Sequence, residues 1–288
     1  MHKKERSYFG REEKDLKNST SIAIGGFDGM HIGHQQLFGA LDEKSTIVVI
    51  ETGYANLTPK KEREHFSHFP FLYLELEDIR HFSGEEFIAF LKEKFPKLQK
   101  IVVGYDFHFG KNRKYSFNDL KTLFDGEVDV IEEVTLHGDS VHSHKIRAKL
   151  QIGDIEGANA FLGHNYTIKG KVVAGQGIGK KELVATINVE AKEFLMPKEG
   201  VYVTLTRIDD EEHFHPSVSF VGHRVTTDGS FALESHILDS EVSCKERASI
   251  SFVNFIRENK KFDSIDELRK AIKKDIATAS KELKFLQL

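Results

Sequence analysis

Two histidines three residues apart, His31 and His34, stand in the run Gly26-Phe27-Asp28-Gly29-Met30-His31-Ile32-Gly33-His34. The run follows a short apolar strand pattern and opens a helical one. At such a junction the first N–H groups of the helix are unpaired and the helix dipole presents its positive end, which favours phosphate. Two imidazoles add donors on one side. Gly26, Phe27 and Asp28 are candidate nucleotide-binding residues of the turn, and Gly33 lets backbone approach a ligand closely. The chemistry this suits is nucleotidyl transfer. An incoming phosphate attacks the α-phosphate of ATP, and the imidazoles stabilise charge on the departing pyrophosphate by position and electrostatics. A solvated histidine pair accounts for the same residues. So do two zinc ligands, although a third ligand must then come from elsewhere.

Two further clusters belong with this one. Val103-Gly104-Tyr105-Asp106-Phe107-His108-Phe109-Gly110-Lys111 follows a strand pattern, where open α/β sheets place ligand loops. Asp106 is able to hydrogen-bond a ring or sugar there while aromatics stack; hydrophobic anchoring of an ordinary loop is the alternative. Ser143-His144-Lys145-Ile146-Arg147 precedes a helical stretch, and Ser143 and Arg147 suit a polyphosphate as well as a solvated helix start. In the second half, Gly175-Gln176-Gly177-Ile178-Gly179-Lys180 is a glycine-rich loop able to close over phosphates, with Gly175, Gly179 and Lys180 as binding candidates. It is neither a Walker loop nor a Rossmann fingerprint, and a plain β-turn explains it too. Thr186 and Asn188 alternate along a strand pattern and so share a face, a hydroxyl and an amide oxygen suited to Mg²⁺ with bound phosphates. Glu234 interrupts an apolar strand, either as a general base for a substrate hydroxyl or as an exposed strand position.

These residues need a scaffold, and the pattern around them supplies one. Strand signals over 21–24, 46–50, 100–104 and 128–134 alternate with helical signals over 34–41, 85–95 and 118–124. Such alternation predicts βαβ units and a parallel sheet. From about residue 165 short alternating runs follow at 166–173, 185–189, 201–208, 217–220, 231–238 and 248–255, separated by turn residues. They predict an antiparallel sandwich or barrel. Ser264 with Glu267 forms a capping box for a last helix whose Ile265, Leu268, Ile272, Ile276 and Leu283 share one face. A helical stretch at 152–162 joins the halves.

At 288 residues the chain has room for two domains of about 150 residues each. A net charge of −4 and a pI near 6.4 argue against a basic nucleic-acid surface. No apolar run approaches the ~18 residues of a membrane-spanning helix. The first residues carry charges of both signs and no secretory apolar stretch, so a cytoplasmic location is expected. A single cysteine, Cys244, excludes an intramolecular disulfide and a cysteine-based zinc cluster.

The order of the motifs says more than any one of them. GGFDGMHIGHQQL, VGYDFHFGK, SHKIR, GDIEGANAFLG, VVAGQGIGK with ATIN, GVY, LESHILD and FVNFIRENKKF follow one another. In this the chain resembles the prokaryotic bifunctional riboflavin kinase/FAD synthetase family, from about Ser21 onward. The resemblance implies an α/β nucleotidyltransferase-type (Rossmann-like) N-terminal domain over 1–163, which adenylylates FMN with ATP to give FAD and pyrophosphate. It implies a six-stranded antiparallel β-barrel with a terminal α-helix over 164–288, which phosphorylates riboflavin to FMN. By the same resemblance His31 and His34 contact ATP phosphates, and Asp106 belongs to the flavin or nucleotide site. Ser143 and Arg147 match a phosphate block, Thr186 and Asn188 bind Mg²⁺ and ATP phosphates, and Glu234 is the kinase base.

The departures carry their own expectations. The family's Pro-Thr-Ala-Asn is Ala185-Thr186-Ile187-Asn188, which frees φ at 185 and restores an N–H, and Leu183 replaces a glycine. A weakened or altered kinase is expected. Val225 replaces proline between Arg224 and Thr226, and His142 and His144 replace hydroxyls beside Ser143. The segment after residue 50 lacks the family's Pro-His-Pro turn, so flavin and ATP contacts there do not transfer. Two other readings follow: an FMN adenylyltransferase whose barrel is only a weakened kinase or flavin-binding module, and a flavin- or nucleotide-binding interaction protein without turnover. The expected partners are small molecules, with neither nucleic acid nor membrane.

Overall fold

The computed structural model describes residues 16–174, 184–209, 211–226, 228–238 and 246–286. The chain divides into two compact units, Met1–Ser143 and His144–Leu288. In the first, β1 (Ser21–Gly25), β2 (Ser45–Glu51), β3 (Phe71–Glu75), β4 (Lys100–Gly104) and β5 (Glu127–Ile131) form one sheet of order β3-β2-β1-β4-β5. Every pairing is parallel. β1 to β4 is the point where the strand order reverses, and loops leaving the carboxyl ends there are where such sheets hold ligands.

The helices follow their local signals. α1 (Ile32–Gly39) takes His31 as its N-cap, two residues earlier than the helical signal at 34. α2 (Leu76–Ile79) is a single turn after β3. α3 (Gly84–Lys94) starts on a capping box of Ser83 and Glu86 and buries Phe87, Ile88 and Leu91. α4 (Phe117–Leu123) starts on a second box, Ser116 with Asp119. β3 has no forerunner among the strand signals. Its FLYLE segment sits beside β2, and Phe71, Leu72 and Leu74 are buried. Before it, Lys60–Phe66 forms a 3-10 turn.

Before the barrel come α5 (Ser143–Ile152) and α6 (Ile155–Leu162), and the 152–162 stretch is α6 preceded by the break at Gly153 and Asp154. Asp154 caps α6 by accepting from Gly157 N at 2.9 Å, and Gly163 ends it at φ 77. Asn159 Nδ2 donates to Phe252 O at 2.9 Å while its Oδ1 accepts from Tyr166 N at 2.8 Å, which ties α6 to the barrel.

β6 (Thr167–Val173), β7 (Ile187–Glu190), β8 (Gly200–Ile208), β9 (His215–His223), β10 (Phe231–Ile237) and β11 (Arg247–Glu258) close into an antiparallel barrel of order β6-β7-β10-β9-β8-β11. The choice left open between sandwich and barrel is thus settled, and closure removes exposed edges. α7 (Ile265–Leu286) covers Val201, Val203, Val218 and Leu238 with Ala279 and Leu283. Its expected capping box is half made. Glu267 N donates to Ser264 Oγ at 3.2 Å, but the Glu267 carboxylate turns to Asp263 N at 3.3 Å.

Part of the inner face of β8 to β10 is lined by hydroxyls instead of aliphatic side chains. Thr204, Thr206, Ser217, Ser219 and Ser235 are buried and linked hydroxyl to hydroxyl at 2.7 to 2.8 Å. Every hydroxyl in that chain finds a partner, which a dry interior requires.

Candidate functional sites

The loop from β1 to α1 is built on positive-φ backbone. Phe27 at φ 48 and Met30 at φ 47 are non-glycine residues in the left-handed region, on either side of Asp28, with Gly29 at φ 91. Each such non-glycine residue costs on the order of 1–3 kcal/mol and persists only where surroundings hold it. They do so here from a distance in sequence. Asp28 Oδ1 accepts from Leu57 N and Thr58 N, both at 2.9 Å, and its Oδ2 from Asn56 N at 3.2 Å. Thr58 Oγ1 accepts from Gly29 N at 2.7 Å. Arg63, fully buried, donates from Nε to Phe27 O at 3.3 Å and from Nη1 to Glu51 Oε1 at 2.5 Å.

These contacts change the reading of two turn residues. The Phe27 ring is buried and the Asp28 carboxylate is engaged by three backbone N–H groups, so both side chains support the loop. Gly33 also has a different reason from the expected one. A Cβ there would lie 3.1 Å from His31 Cε1 and Nδ1, so the glycine makes room for the His31 ring. Gly26 is exposed, and a Cβ there would meet only Ile50 O at 4.0 Å.

His31 and His34 are stacked, with ring centroids 3.5 Å apart and planes 20° from parallel. His31 Nδ1 accepts from His34 N at 3.4 Å, which leaves its Nε2 as the protonated, donating nitrogen of the neutral ring. His34 packs edge-on against Phe27 at 5.2 Å, and its buried Nδ1 has no hydrogen-bond partner. Burial pushes the His34 pKa well below the ordinary 6.5, and electrostatic coupling to His31, Arg63 and His142 pushes it the same way. Arg63 Nη2 is likewise buried without a hydrogen-bond partner. Imidazoles and a guanidinium gathered at a helix N-terminus make a receptor for a polyanion.

The other first-unit candidates separate. Asp106 is exposed on the loop after β4. Phe107 and Phe109 are buried and stacked on one another at 5.6 Å, so they anchor the loop. Tyr105 is exposed, donates to Glu133 Oε1 at 2.8 Å and lies 3.3 Å from His142 Nε2. The hydrogen bond to Glu133 pushes its pKa up to about 12. Ser143 Oγ donates to Asp28 O at 2.7 Å, so its single proton is committed to the loop. Arg147 stands half-buried on α5, in the unit that begins at His144.

In the second unit Asn188 and Glu234 are direct cross-strand partners on β7 and β10. Thr186 lies just before β7, which starts at Ile187 rather than 185, and its Oγ1 is 3.4 Å from Glu234 Oε2. Arg224, at the end of β9, joins them. Its Nε donates to Glu234 Oε1 and its Nη2 to Asn188 Oδ1, both at 2.6 Å. Gly175, Gly179 and Lys180 lie outside the described residues.

Sequence reasoning passed over Thr58, Arg63 and Arg224 as site residues. The first two sit in a segment without periodicity, and no local signal marks them. Arg224 is legible as the arginine kept beside Val225 and Thr226, but its partners lie 10 and 36 residues away.

Comparison with known proteins fits this arrangement. A family model described as FAD synthetase matches residues 13–53 and 71–145, passing over the segment that holds Thr58 and Arg63. One described as Riboflavin kinase matches 162–283. A bifunctional riboflavin kinase/FMN adenylyltransferase of Pseudomonas fluorescens is 30% identical over 89% of this chain and 90% of its own length. One of Listeria monocytogenes is 29% identical over 88% of this chain and 89% of its own. A crystal structure from Streptococcus pneumoniae, described as a macrolide-efflux protein, superposes with a TM-score of 0.80 at 26% identity, covering 93% of this chain and 96% of that one. Among the described residues of this chain no helix is long and apolar enough to cross a membrane. With a relative at 30% identity along nine-tenths of its length and a family model on each half, the chain belongs to the bifunctional riboflavin kinase/FMN adenylyltransferase family.

Proposed function

We infer that this chain makes both flavin cofactors: it phosphorylates riboflavin to FMN with ATP, and it adenylylates FMN to FAD with release of pyrophosphate. The observation that carries the reading is the stacked His31–His34 pair capping α1 at the point where the parallel sheet reverses its order. The adenylyltransferase alone is not favoured, because the riboflavin kinase model spans 162–283. We place the functional division at 1–163 and 164–288. The compact second unit begins earlier, at His144, because α6 is bonded to β11.

In the adenylyl transfer an FMN phosphate oxygen attacks the α-phosphorus of ATP, and the bond to pyrophosphate breaks. His31 and His34 receive the triphosphate at the helix N-terminus, where their charge, taken up with a proton from solvent, opposes that of the leaving group. The buried His34 is neutral before an anion arrives, and the anion's field is what favours its protonation. Gly26 leaves open space beside the turn, and Asp106 stays exposed for a sugar or ring. Arg147 and Ser143 keep the phosphate role that their motif implies, Ser143 through exchange of its bond to Asp28. In the kinase half, the loop of Gly175, Gly179 and Lys180 keeps its assignment to ATP phosphates.

In the kinase step Glu234 takes the proton of the terminal ribityl hydroxyl as that oxygen attacks the γ-phosphorus and ADP leaves. Thr186 and Asn188 supply neutral, hard oxygens that would hold Mg²⁺ brought with the nucleotide. When bound, Mg²⁺ neutralises charge on the transferring phosphoryl group. Use of ATP as donor supports a cytoplasmic location.

Product analysis with riboflavin and with FMN, supplied separately with Mg-ATP, tests the reading. Riboflavin gives FMN and then FAD, and FMN gives FAD. His31→Ala lowers FAD formation about 10²–10³-fold while riboflavin still gives FMN. Failure of added FMN to yield FAD would remove the N-terminal assignment.

A further inference from the structure

Arg224 is the residue on which the second site converges. Its Nε holds Glu234 Oε1 and its Nη2 holds Asn188 Oδ1, both at 2.6 Å, while Nη1 donates to Ser230 Oγ at 2.8 Å. The side chain is 18% exposed and that of Glu234 20%, so this fork lies in a half-buried pocket. On the kinase reading, one guanidinium therefore covers an oxygen of the metal ligand and an oxygen of the base together. A divalent cation on Asn188 Oδ1 would have to share that oxygen with the guanidinium. Like charges so close repel strongly away from bulk water.

The guanidinium also has somewhere to go. Asp228, on the turn that follows, has Oδ2 at 3.9 Å from Arg224 Nη1. Its carboxylate accepts from Ser230 Oγ at 2.8 and 2.9 Å, and these bonds hold its pKa below the usual carboxylate range. An ionised acceptor thus waits on the side of the fork away from Asn188 and Glu234.

We propose that Arg224 gates the kinase site: its guanidinium and the divalent cation are alternative occupants of Asn188 Oδ1, and the cation with its nucleotide binds as the guanidinium withdraws toward Asp228. A merely orienting arginine would instead favour the cation by holding Asn188 in place. The two roles move metal affinity in opposite directions. The inference rests on the kinase reading given above.

The test is a titration of the full chain with Mn²⁺ in the presence of a non-hydrolysable ATP analogue, free Mn²⁺ being read by electron paramagnetic resonance. The class of site that disappears in Asn188→Ala is the one to follow. In Arg224→Met this class binds Mn²⁺ about tenfold more tightly than in the wild type. Arg224→Lys, which keeps the charge without the fork, falls between them and serves if the methionine variant does not fold by circular dichroism. Unchanged or weaker Mn²⁺ binding in the folded variants would overturn the gate while leaving the kinase intact. A wild-type chain that makes no FMN from riboflavin at any Mg²⁺ concentration would overturn the kinase reading and the gate with it.

Discussion

The two sites of this chain differ in how far their polar groups are satisfied. Around α1 partners are left over: two imidazoles are stacked beside a buried arginine paired with Glu51, and His34 Nδ1 and Arg63 Nη2 lack hydrogen-bond partners. Around β7, β9 and β10 the charges are matched: Arg224 is bonded to Glu234, Asn188 and Ser230 at once. A site with unsatisfied donors receives an anion without breaking anything, and its cost was met in folding. A site whose groups already satisfy one another must exchange partners before it works. The first is a fixed receptor, the second a lock that its own ligand opens.

The sharpest way to press on that contrast is at the lock. Glu234→Gln removes both the proposed proton acceptor and the counter-charge of Arg224. Riboflavin phosphorylation then falls about 10²–10⁴-fold, measured as FMN formed at saturating Mg-ATP. Activity near that of the wild type would show that Glu234 serves Arg224 alone.

The receptor is tested by loosening its frame. Arg63→Met leaves Glu51 without its ion pair and Phe27 O without the Nε donor, so the first unit loses about 3–5 kcal/mol in denaturant unfolding. FAD formation is lost with it, and FMN formation from riboflavin continues. A variant of normal stability and normal FAD synthesis would mean that the loop holds its positive-φ shape without this clamp.

The smallest effect is a pH slope. In the unfolded chain His34 titrates near its ordinary 6.5, and in the folded chain burial holds it well below. At higher pH the ring is neutral in both states. As the pH falls below about 6.5 the unfolded state binds a proton that the folded state does not, so stability declines with falling pH until the folded pKa is reached. His34→Gln flattens this part of the profile in denaturant melts between about pH 8 and pH 5. An unchanged slope would place the charge-sensitive group elsewhere.

Legibility in the sequence tracked the range of the interactions. The parallel half, the six antiparallel strands and the last helix were readable from periodicity, because burial of one face imposes a repeat on neighbouring residues. His31 and His34 were readable for a similar reason, since an N-cap and its first turn are three residues apart. The clamp of Asn56, Leu57, Thr58 and Arg63 on the loop at 27–29 was not, since its partners lie about thirty residues away in a segment with no repeat. β3 was missed beside it. Its pattern is short, and its place next to β2 decides its burial.

By itself the sequence determined which chemistry each half carries: histidines at a strand-to-helix turn, and a hydroxyl, an amide and a carboxylate on barrel strands. Only the tertiary structure decided what those groups are doing before a substrate comes. Gly33 turned out to accommodate the His31 ring, Asp28 to hold a loop, and Arg224 to sit on the two oxygens assigned to metal and base. Residue type states what a side chain is able to donate or accept. Which partner it takes depends on what the fold brings within about 3 Å, and that is set by chain distant in sequence.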